Sequence, residues 1–361
     1  MSSSYRIRTT PFIRRALLAA IVSGLSGAAA IAQPVTDQVA AQARAQAVAG
    51  WHDNLTAQGA PSTGCYRASF PSNTWTAEQC APPPKLMSAA ILSAATKAAI
   101  AAHKGRVTPQ AATSGTFTTG NGNDYAARTA SLTKTAVGTF PTVTGVNSGG
   151  SQDYSLQINT DIGSNPTTCS QFGYSGGCQT WEQFIYATDD GNGPVAFIQN
   201  WFFATNDSEY NSQGCPSGWN AYPDQDACYR NSNAVSVSYV PLANLASIRL
   251  TGAANQSGKD SVTFTINGVA HTVSESATTL NIGKIWKQSE FNIFGNDSSQ
   301  PLVSFNRGSK LSVRVGVTDG STNAPTCLSG AGTTFEQNNL ALGSCTASGG
   351  SSPAIQFSES N

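Results

Sequence analysis

The sequence predicts an all-β protein, one large two-sheet sandwich or jelly roll of antiparallel strands behind a short helical N-terminal segment. Three observations carry that prediction. From Gly115 onward the chain reads strand, turn, strand, with turn dipeptides at Asn121-Gly122, Asn267-Gly268 and Asp319-Gly320. Ala-rich helical stretches occur before residue 105 and not after it. The densest apolar and aromatic stretch, Thr180 to Phe203, has a hairpin plan, two runs flanking Asp189-Asp190-Gly191-Asn192-Gly193-Pro194.

Taken in order, Arg6, Arg8, Arg14 and Arg15 precede an apolar run from Ala16 to Ala32 that closes on Ala30-Ile31-Ala32. Residues 1–32 therefore read as a signal peptide cleaved after Ala32, which sends the product out of the cell, to an extracellular or periplasmic location. No later apolar run has the length to span a bilayer. Asp37 to Gly50 is a helix, with Thr36 or Asp37 as cap and Gly50 as stop. A disulfide loop from Cys65 to Cys80 holds Tyr66, Phe70 and Trp75, and Pro82-Pro83-Pro84 punctuates the chain before a second helix, Met87 to Lys104. Residues 33–110 form this N-terminal segment and residues 111–361 the sandwich. Two accounts of the segment stand open: a prosegment cut near Lys104 or Arg106, or an elaboration packed on the sandwich.

The clearest later hairpin is Ser261 to Ser274, where alternation runs into Asn267-Gly268 and out again. Further strands are expected at 136–146, 153–160, 234–240, 246–252, 290–295, 302–306, 310–318 and 353–358. Within 180–203, Trp181, Gln183 and Ile185 share one face of the first strand and Glu182, Phe184 and Tyr186 the other; Val195, Phe197, Gln199, Trp201 and Phe203 share a face of the second. A face that mixes indoles with amides suits the floor of a groove for a polar polymer, and Trp181, Gln183, Gln199 and Trp201 are its candidate binding residues. The same face is equally a sandwich core with its amides satisfied by neighbours.

The chain has 361 residues with 20 basic and 20 acidic groups, so no charged footprint for nucleic acid or an anionic membrane is present. Its 11% of charged residues, against about a quarter in an average domain, leaves a polar, weakly charged surface suited to the extracellular space. Eight cysteines fall as four close couples, Cys65 with Cys80, Cys169 with Cys178, Cys215 with Cys228 and Cys327 with Cys345, and four local disulfides are expected although order alone fixes no connectivity. With no C-x-x-C and three histidines, a zinc site is not expected, and paired cysteines leave no thiol nucleophile. Calcium ligands at Asp189, Asp190 and Asn192, or at Asp224 and Asp226, lack EF-hand spacing and are accounted for by turn formation, so neither metal nor cofactor is expected.

Two short motif matches carry little. Gly173-Tyr174-Ser175-Gly176-Gly177 fits G-x-S-x-G but lies inside a disulfide loop without a following helix, which leaves a Ser175 and His271 pair as a weak hydrolase option. Ser131-Leu132-Thr133-Lys134 fits S-x-x-K but sits in an extended Thr-rich stretch. Carboxylate and amide chemistry remains: a Glu in a desolvated groove serves as acid or base, and a neighbouring amide donates to a developing oxyanion. Glu290 opens the strand Ser289 to Gly295, and Gln157 lies with Ser155 and Asn159 on the polar face of Asp153 to Asn159. Glu290 and Gln157 are the candidate catalytic pair.

At these residues the chain resembles the secreted glutamic peptidases, the eqolisins. The resemblance rests on Gly138-Thr139-Phe140-Pro141-Thr142-Val143 followed by Leu156-Gln157-Ile158, and on Ser289-Glu290-Phe291 followed by Leu302 to Phe305 and Leu311 to Val317. It implies a concanavalin-like sandwich, with Glu290 as the base that activates water and Gln157 as the partner that orients the water and stabilises the tetrahedral intermediate. The function expected is thus a secreted endopeptidase of glutamic type, acting at acidic pH on an extracellular polymer as a monomer. The rival is a non-catalytic, lectin-like carbohydrate-binding sandwich in which Trp181 and Trp201 stack on sugars. A glycoside hydrolase stands third and would use Glu182 and Glu290.

Overall fold

The computed structural model of the protein describes residues 33–85, 124–147, 152–295, 302–331 and 337–361. The expected signal peptide, the second helix at 87–104 and the Lys104 and Arg106 sites lie outside the described residues. By its contacts the chain divides into two units, residues 1–47 and 48–361. In the first, the described element is the leading part of helix α1 (Gln33–Gln58).

The second unit holds the strands. In chain order they are β1 (Gly64–Ser69), β2 (Thr76–Ala77), β3 (Tyr125–Arg128), β4 (Thr135–Thr144), β5 (Tyr154–Thr160), β6 (Gly163–Ser164) and β7 (Cys178–Ala187). There follow β8 (Val195–Ala204), β9 (Asn220–Tyr222), β10 (Ala227–Ser236), β11 (Ile248–Ala253), β12 (Lys259–Ile266), β13 (Val269–Ser276) and β14 (Gln288–Gly295). The last are β15 (Leu302–Val303), β16 (Lys310–Thr318), β17 (Thr326–Ser329), β18 (Gln337–Asn338), β19 (Ala341–Ser348) and β20 (Ala354–Ser360). One antiparallel sheet runs β19-β20-β16-β4-β11-β12-β13-β1-β2, the other β17-β3-β14-β5-β7-β8-β10-β9, and β15 pairs with β18 apart from both. The expected all-β architecture of two antiparallel sheets is the observed one.

The sheets enclose one apolar core, to which alternate residues of each strand contribute: Leu156 and Ile158 from β5, Phe184 and Tyr186 from β7, Phe291 and Ile293 from β14, facing Leu250, Phe264, Val313 and Phe357. Two glycines set how closely the sheets approach. A Cβ on Gly138 of β4 would lie 2.2 Å from the Phe291 ring, and one on Gly252 of β11 would lie 2.2 Å from the Phe184 ring. These contacts seat the two strands that carry Glu290 and Gln183.

Several elements depart from expectation. Gly50 does not stop the helix, which continues to Gln58 because Trp51 and Leu55 bury against Ala68 and Ala270, and the Trp51 indole donates to Ser72 O at 2.7 Å. Gly59, at φ 65°, takes the left-handed position that ends it. The Cys65 to Cys80 stretch is not merely a loop, since β1 pairs with β13 over six residues. Two short helices, α2 (Pro166–Gln171) and α3 (Asp207–Gln213), were not expected; Asn165 and Asn206 cap them by accepting from backbone amides. The strand expected at 234–240 is β10, which begins at Ala227 and absorbs its polar stretch with a bulge between Asn231 and Ala234.

All four expected cysteine couples are disulfides, each closing a local loop of 9 to 18 residues. No disulfide joins residues 48–85 to the later chain. Among the described residues no helix is long and apolar enough to cross a membrane.

Candidate functional site

The hairpin expected at 180–203 is β7 and β8, with Trp181 opposite Trp201, Gln183 opposite Gln199 and Ile185 opposite Phe197. In a sheet, residues directly opposite share a face, so register converts these pairs into rows running across strands. Glu290 on β14 faces Asn159 on β5, Asn159 faces Gln183 on β7, Gln183 faces Gln199 on β8, and Gln199 faces Asn231 on β10. A carboxylate and four amides thus form one row over five strands, on the face turned away from the core. An aromatic row flanks it, Trp181, Trp201 and Tyr229. On its other side runs Asn292, Gln157, Ile185 and Phe197.

Gln157 and Glu290 therefore occupy the same face of the same sheet, one step apart on the diagonal. Hydrogen bonds link them through the row: Gln183 Nε2 donates to Gln157 Oε1 at 2.8 Å and to Asn159 Oδ1 at 3.1 Å, and Asn159 Nδ2 donates to Glu290 Oε2 at 3.1 Å. Gln157 also donates to Ser155 Oγ at 2.8 Å. Toward β10 the row continues by donation from Trp201 Nε1 to Gln199 Oε1, from Gln199 Nε2 to Asn231 Oδ1, and from Asn231 Nδ2 to Pro84 O, at 3.0, 2.8 and 2.8 Å. There it meets a cavity of about 550 Å³, lined in part by Pro84, Asn220, Arg230, Asn231 and Glu275.

The head of β14 is clamped. Asp161 Oδ1 accepts from the backbone amides of Lys287 and Gln288 at 2.9 and 3.1 Å, and Trp286 donates to Gln288 O at 2.8 Å. Its ring packs on Phe184, centroids 5.7 Å apart. Two residues beyond Glu290, Asn292 Nδ2 donates to Asp124 Oδ2 at 2.7 Å and to Glu359 Oε1 at 2.6 Å.

Every side chain of the row is buried, as are Trp181 and Trp201. The Trp181 indole nitrogen and Gln183 Oε1 are buried without a hydrogen-bond partner. Trp201 lies near-parallel to Phe203 and to Tyr229 and edge-on to Tyr222, so its ring is enclosed by other rings of the protein. A ring packed in this way presents no free face for a sugar.

Glu182 points the other way. It lies opposite Asn200 on the core-facing side of the sheet, with Asp260 and Glu275 of the opposing sheet as its charged neighbours. Glu182 and Glu290 thus stand on opposite faces, which removes the carboxylate pair a glycoside hydrolase was expected to use. Asn200 Nδ2 donates to Glu275 Oε1 at 2.6 Å, and Arg230 stands 3.5 Å from Glu275 Oε2. Burial, with Asp260 and Glu275 adding to it, holds the Glu182 carboxyl well above its usual range; burial raises Asp260 to about 7 and raises Glu275 despite Asn200 and Arg230.

The other sequence candidates lie apart from this row. Ser175 Oγ bonds Glu209 at 2.9 Å while His271 Nδ1 bonds Glu78 at 3.0 Å, so they form no pair. Ser131 to Lys134 precede β4 without any helix. Asp189 and Asp190 accept from the amides of Gly191, Gly193 and Asn192 within their own turn. Asn159, Asn231, Asn292, Asp124 and Glu359 are not among the site residues the sequence singles out. Asn159 was within reach, since it shares the alternating face of Gln157; the others depend on strand register and cross-sheet contact.

No protein-family model matches the chain, and no curated protein does. Among solved structures it is similar to Scytalido-glutamic peptidase with a peptide-based transition-state analogue, at 16% identity and a TM-score of 0.26, over 66% of this chain and 96% of that one. It is similar also to SCP-B, a member of the eqolisin family of peptidases in complex with the tripeptide Ala-Ile-His, at 15% identity and a TM-score of 0.27, over 65% of this chain and 96% of that one. Likeness of that degree carries no argument about chemistry. The functional reading rests on the site.

Proposed function

We propose that this chain is a secreted endopeptidase of glutamic type, with Glu290 as the general base. The observation that carries the reading is the hydrogen-bonded run from Gln157 through Gln183 and Asn159 to Glu290 on one face of a clamped sheet. Peptide hydrolysis by a carboxylate needs a base beside a water and an amide donor where the oxyanion develops. Glu290 takes a proton from water as the water oxygen attacks the peptide carbonyl. The carboxamide of Gln157, held by Gln183 through its Oε1, donates to the carbonyl oxygen as its charge grows. Glu290 then gives the proton to the leaving nitrogen, and the C–N bond breaks. Amides suit this task because they stay neutral in acid and keep their geometry when the base changes charge. Strand positions hold them better than loops do.

The row of amides, flanked by indoles and running toward the cavity at Asn231, has the length and hydrogen-bonding character for an extended polypeptide. Trp181, Gln183, Gln199 and Trp201 line its course. Four disulfides fit an oxidising compartment outside the cell. The carbohydrate-binding alternative is the poorer fit because the Trp201 ring is enclosed.

Since the face is buried in this structure, the assay is run both before and after incubation in acid. Cleavage of an unfolded protein is followed from pH 2 to 7 for the purified chain and for Glu290→Gln. Activity in acid that disappears in the variant supports the reading. Equal cleavage by both proteins, or none by either after acid incubation, overturns it.

A further inference from the structure

We infer that Asp124 and Glu359, tied together by Asn292 beside Glu290, exchange protons with Glu290 as one unit and so set the upper pH limit of the proposed reaction. The inference rests on the reading of Glu290 as base and adds two positioning residues to it.

The geometry is unusual in bringing two sheets to one amide group. Asp124 precedes β3, whose Ala126 is paired with Glu290. Glu359 comes from β20 in the opposing sheet. One carboxamide nitrogen, Asn292 Nδ2, serves both carboxyls, at 2.7 and 2.6 Å, from a position two residues beyond Glu290 on the same strand. All four side chains are buried. Asp124 Oδ1 accepts from the Tyr125 amide at 2.9 Å, whereas Glu359 Oε2 has no hydrogen-bond partner. The residues opposite Glu359 on β16 and β19 are Leu311 and Leu342, and those opposite Ala126 and Tyr125 on β17 are Leu328 and Ser329. Among the described residues, no lysine, arginine or histidine forms an ion pair with Asp124 or Glu359.

Three carboxyls packed this way without a cation on Asp124 or Glu359 do not all ionise. Burial pushes Asp124 well above the usual carboxylate range, with the charges of Glu290 and Glu359 adding to it, and burial raises Glu359 to about 7 against the Asn292 bond. In acid both are neutral, and neither adds a charge beside Glu290, whose Oε2 receives the Asn159 amide. As pH passes about 7, Glu359 ionises and a second charge appears beside the base. That charge opposes the oxyanion forming in the same water-poor site, and the rate falls. The alkaline limb of the pH profile therefore belongs to Glu359 and Asp124.

The test compares wild type with E359Q and D124N, whose side chains keep an oxygen for Asn292 to donate to while losing the titrating proton. Two readouts are taken. In the pH–rate profile, E359Q moves the alkaline midpoint upward by about one pH unit and leaves the acid limb in place; an unmoved alkaline limb overturns the inference. The second readout needs no activity: the Glu290 carboxyl ¹³C resonance, assigned by its loss in E290Q, is titrated from pH 3 to 9. A wild-type curve with a step near pH 7 that is lost in E359Q supports a shared proton unit, and curves that are identical in the two proteins overturn it. Should E290Q cleave as well as wild type, the base assignment fails and this titration alone decides the coupling. Retained far-UV and thermal transitions in D124N guard against a folding defect, and where that variant does not fold, E359Q carries both readouts.

Discussion

Asn159 and Glu290 face each other across β5 and β14, and the Asn159 amide donates to Glu290 Oε2 at 3.1 Å. This contact fixes one oxygen of the proposed base and links it to the amides beyond. Asn159 is therefore a sharper probe than a residue chosen for charge. In Asn159→Leu the carboxylate keeps its strand and loses its donor. Activity is expected to fall by about 10²-fold, in kcat more than in KM. Steady-state kinetics at the acid optimum check this, and a change confined to KM would count against a role in the reaction.

Acid should stabilise this fold. Asp124, Glu182, Asp260, Glu275 and Glu359 all have carboxyls raised by burial, Asp260 and Glu359 to about 7. In an unfolded chain these groups titrate near 4, so between those values the folded state holds more protons than the unfolded one. Stability from raised carboxyls is complete below the unfolded value and is lost as pH rises through the folded value. Melting temperature is thus expected to decline from pH 4 onward and to drop by about 5 °C or more between pH 5 and 8. Glu182→Gln, which removes the most enclosed of these acids on the core side, should flatten that slope. A melting temperature that rises with pH over this range would contradict the assignment.

Gly138 and Gly252 test the spacing of the sheets. Alanine at either meets an aromatic ring at 2.2 Å, Phe291 or Phe184, and should destabilise by about 1–3 kcal/mol in chemical denaturation. Gly50 is the contrast. It lies within α1 with nothing near its Cβ position, so Gly50→Ala should stabilise by about 0.5–1 kcal/mol. Equal effects at all three sites would mean the close approaches are not what they are taken to be.

Residues 48–85 should stay with the sandwich when the chain is cut. They supply β1 to the edge of β13, a reciprocal backbone pair between Ala81 and Ala234 at 2.8 and 3.0 Å, and the Pro84 carbonyl that receives Asn231. Their disulfide, Cys65 to Cys80, closes within the segment. A specific protease site inserted between residues 86 and 123 and then cleaved is expected to give two chains that co-elute in gel filtration. They should separate in detergent without reductant. Elution of a folded 124–361 chain by itself would instead mark residues 48–85 as detachable.

Local alternation carried much of this protein. The hairpin of β7 and β8, the shared face of Trp181, Gln183, Gln199 and Trp201, and the polar face of Gln157 follow from a period of two that any strand obeys. The disulfide couples followed from closeness in sequence. The end of helix α1 escaped the same reasoning, because burial of Trp51 and Leu55 outweighs a glycine whose expense is about 1 kcal/mol.

Register was the tertiary structure's to decide. Which strand lies beside which, and with what offset, depends on the whole sheet, and a slip of one residue would have turned every side chain over. That choice put Asn159 between Gln183 and Glu290 and turned Glu182 away from Glu290. Pairing of β3 with β14 brought Asp124, and packing of the other sheet brought Glu359, to a single amide of Asn292, residues 168 and 67 positions away from it in the chain. The types of group available were legible along the chain, since side-chain chemistry and strand period are local properties. Their distances and proton affinities were decided by burial and pairing, which exist only once the two sheets have closed on each other.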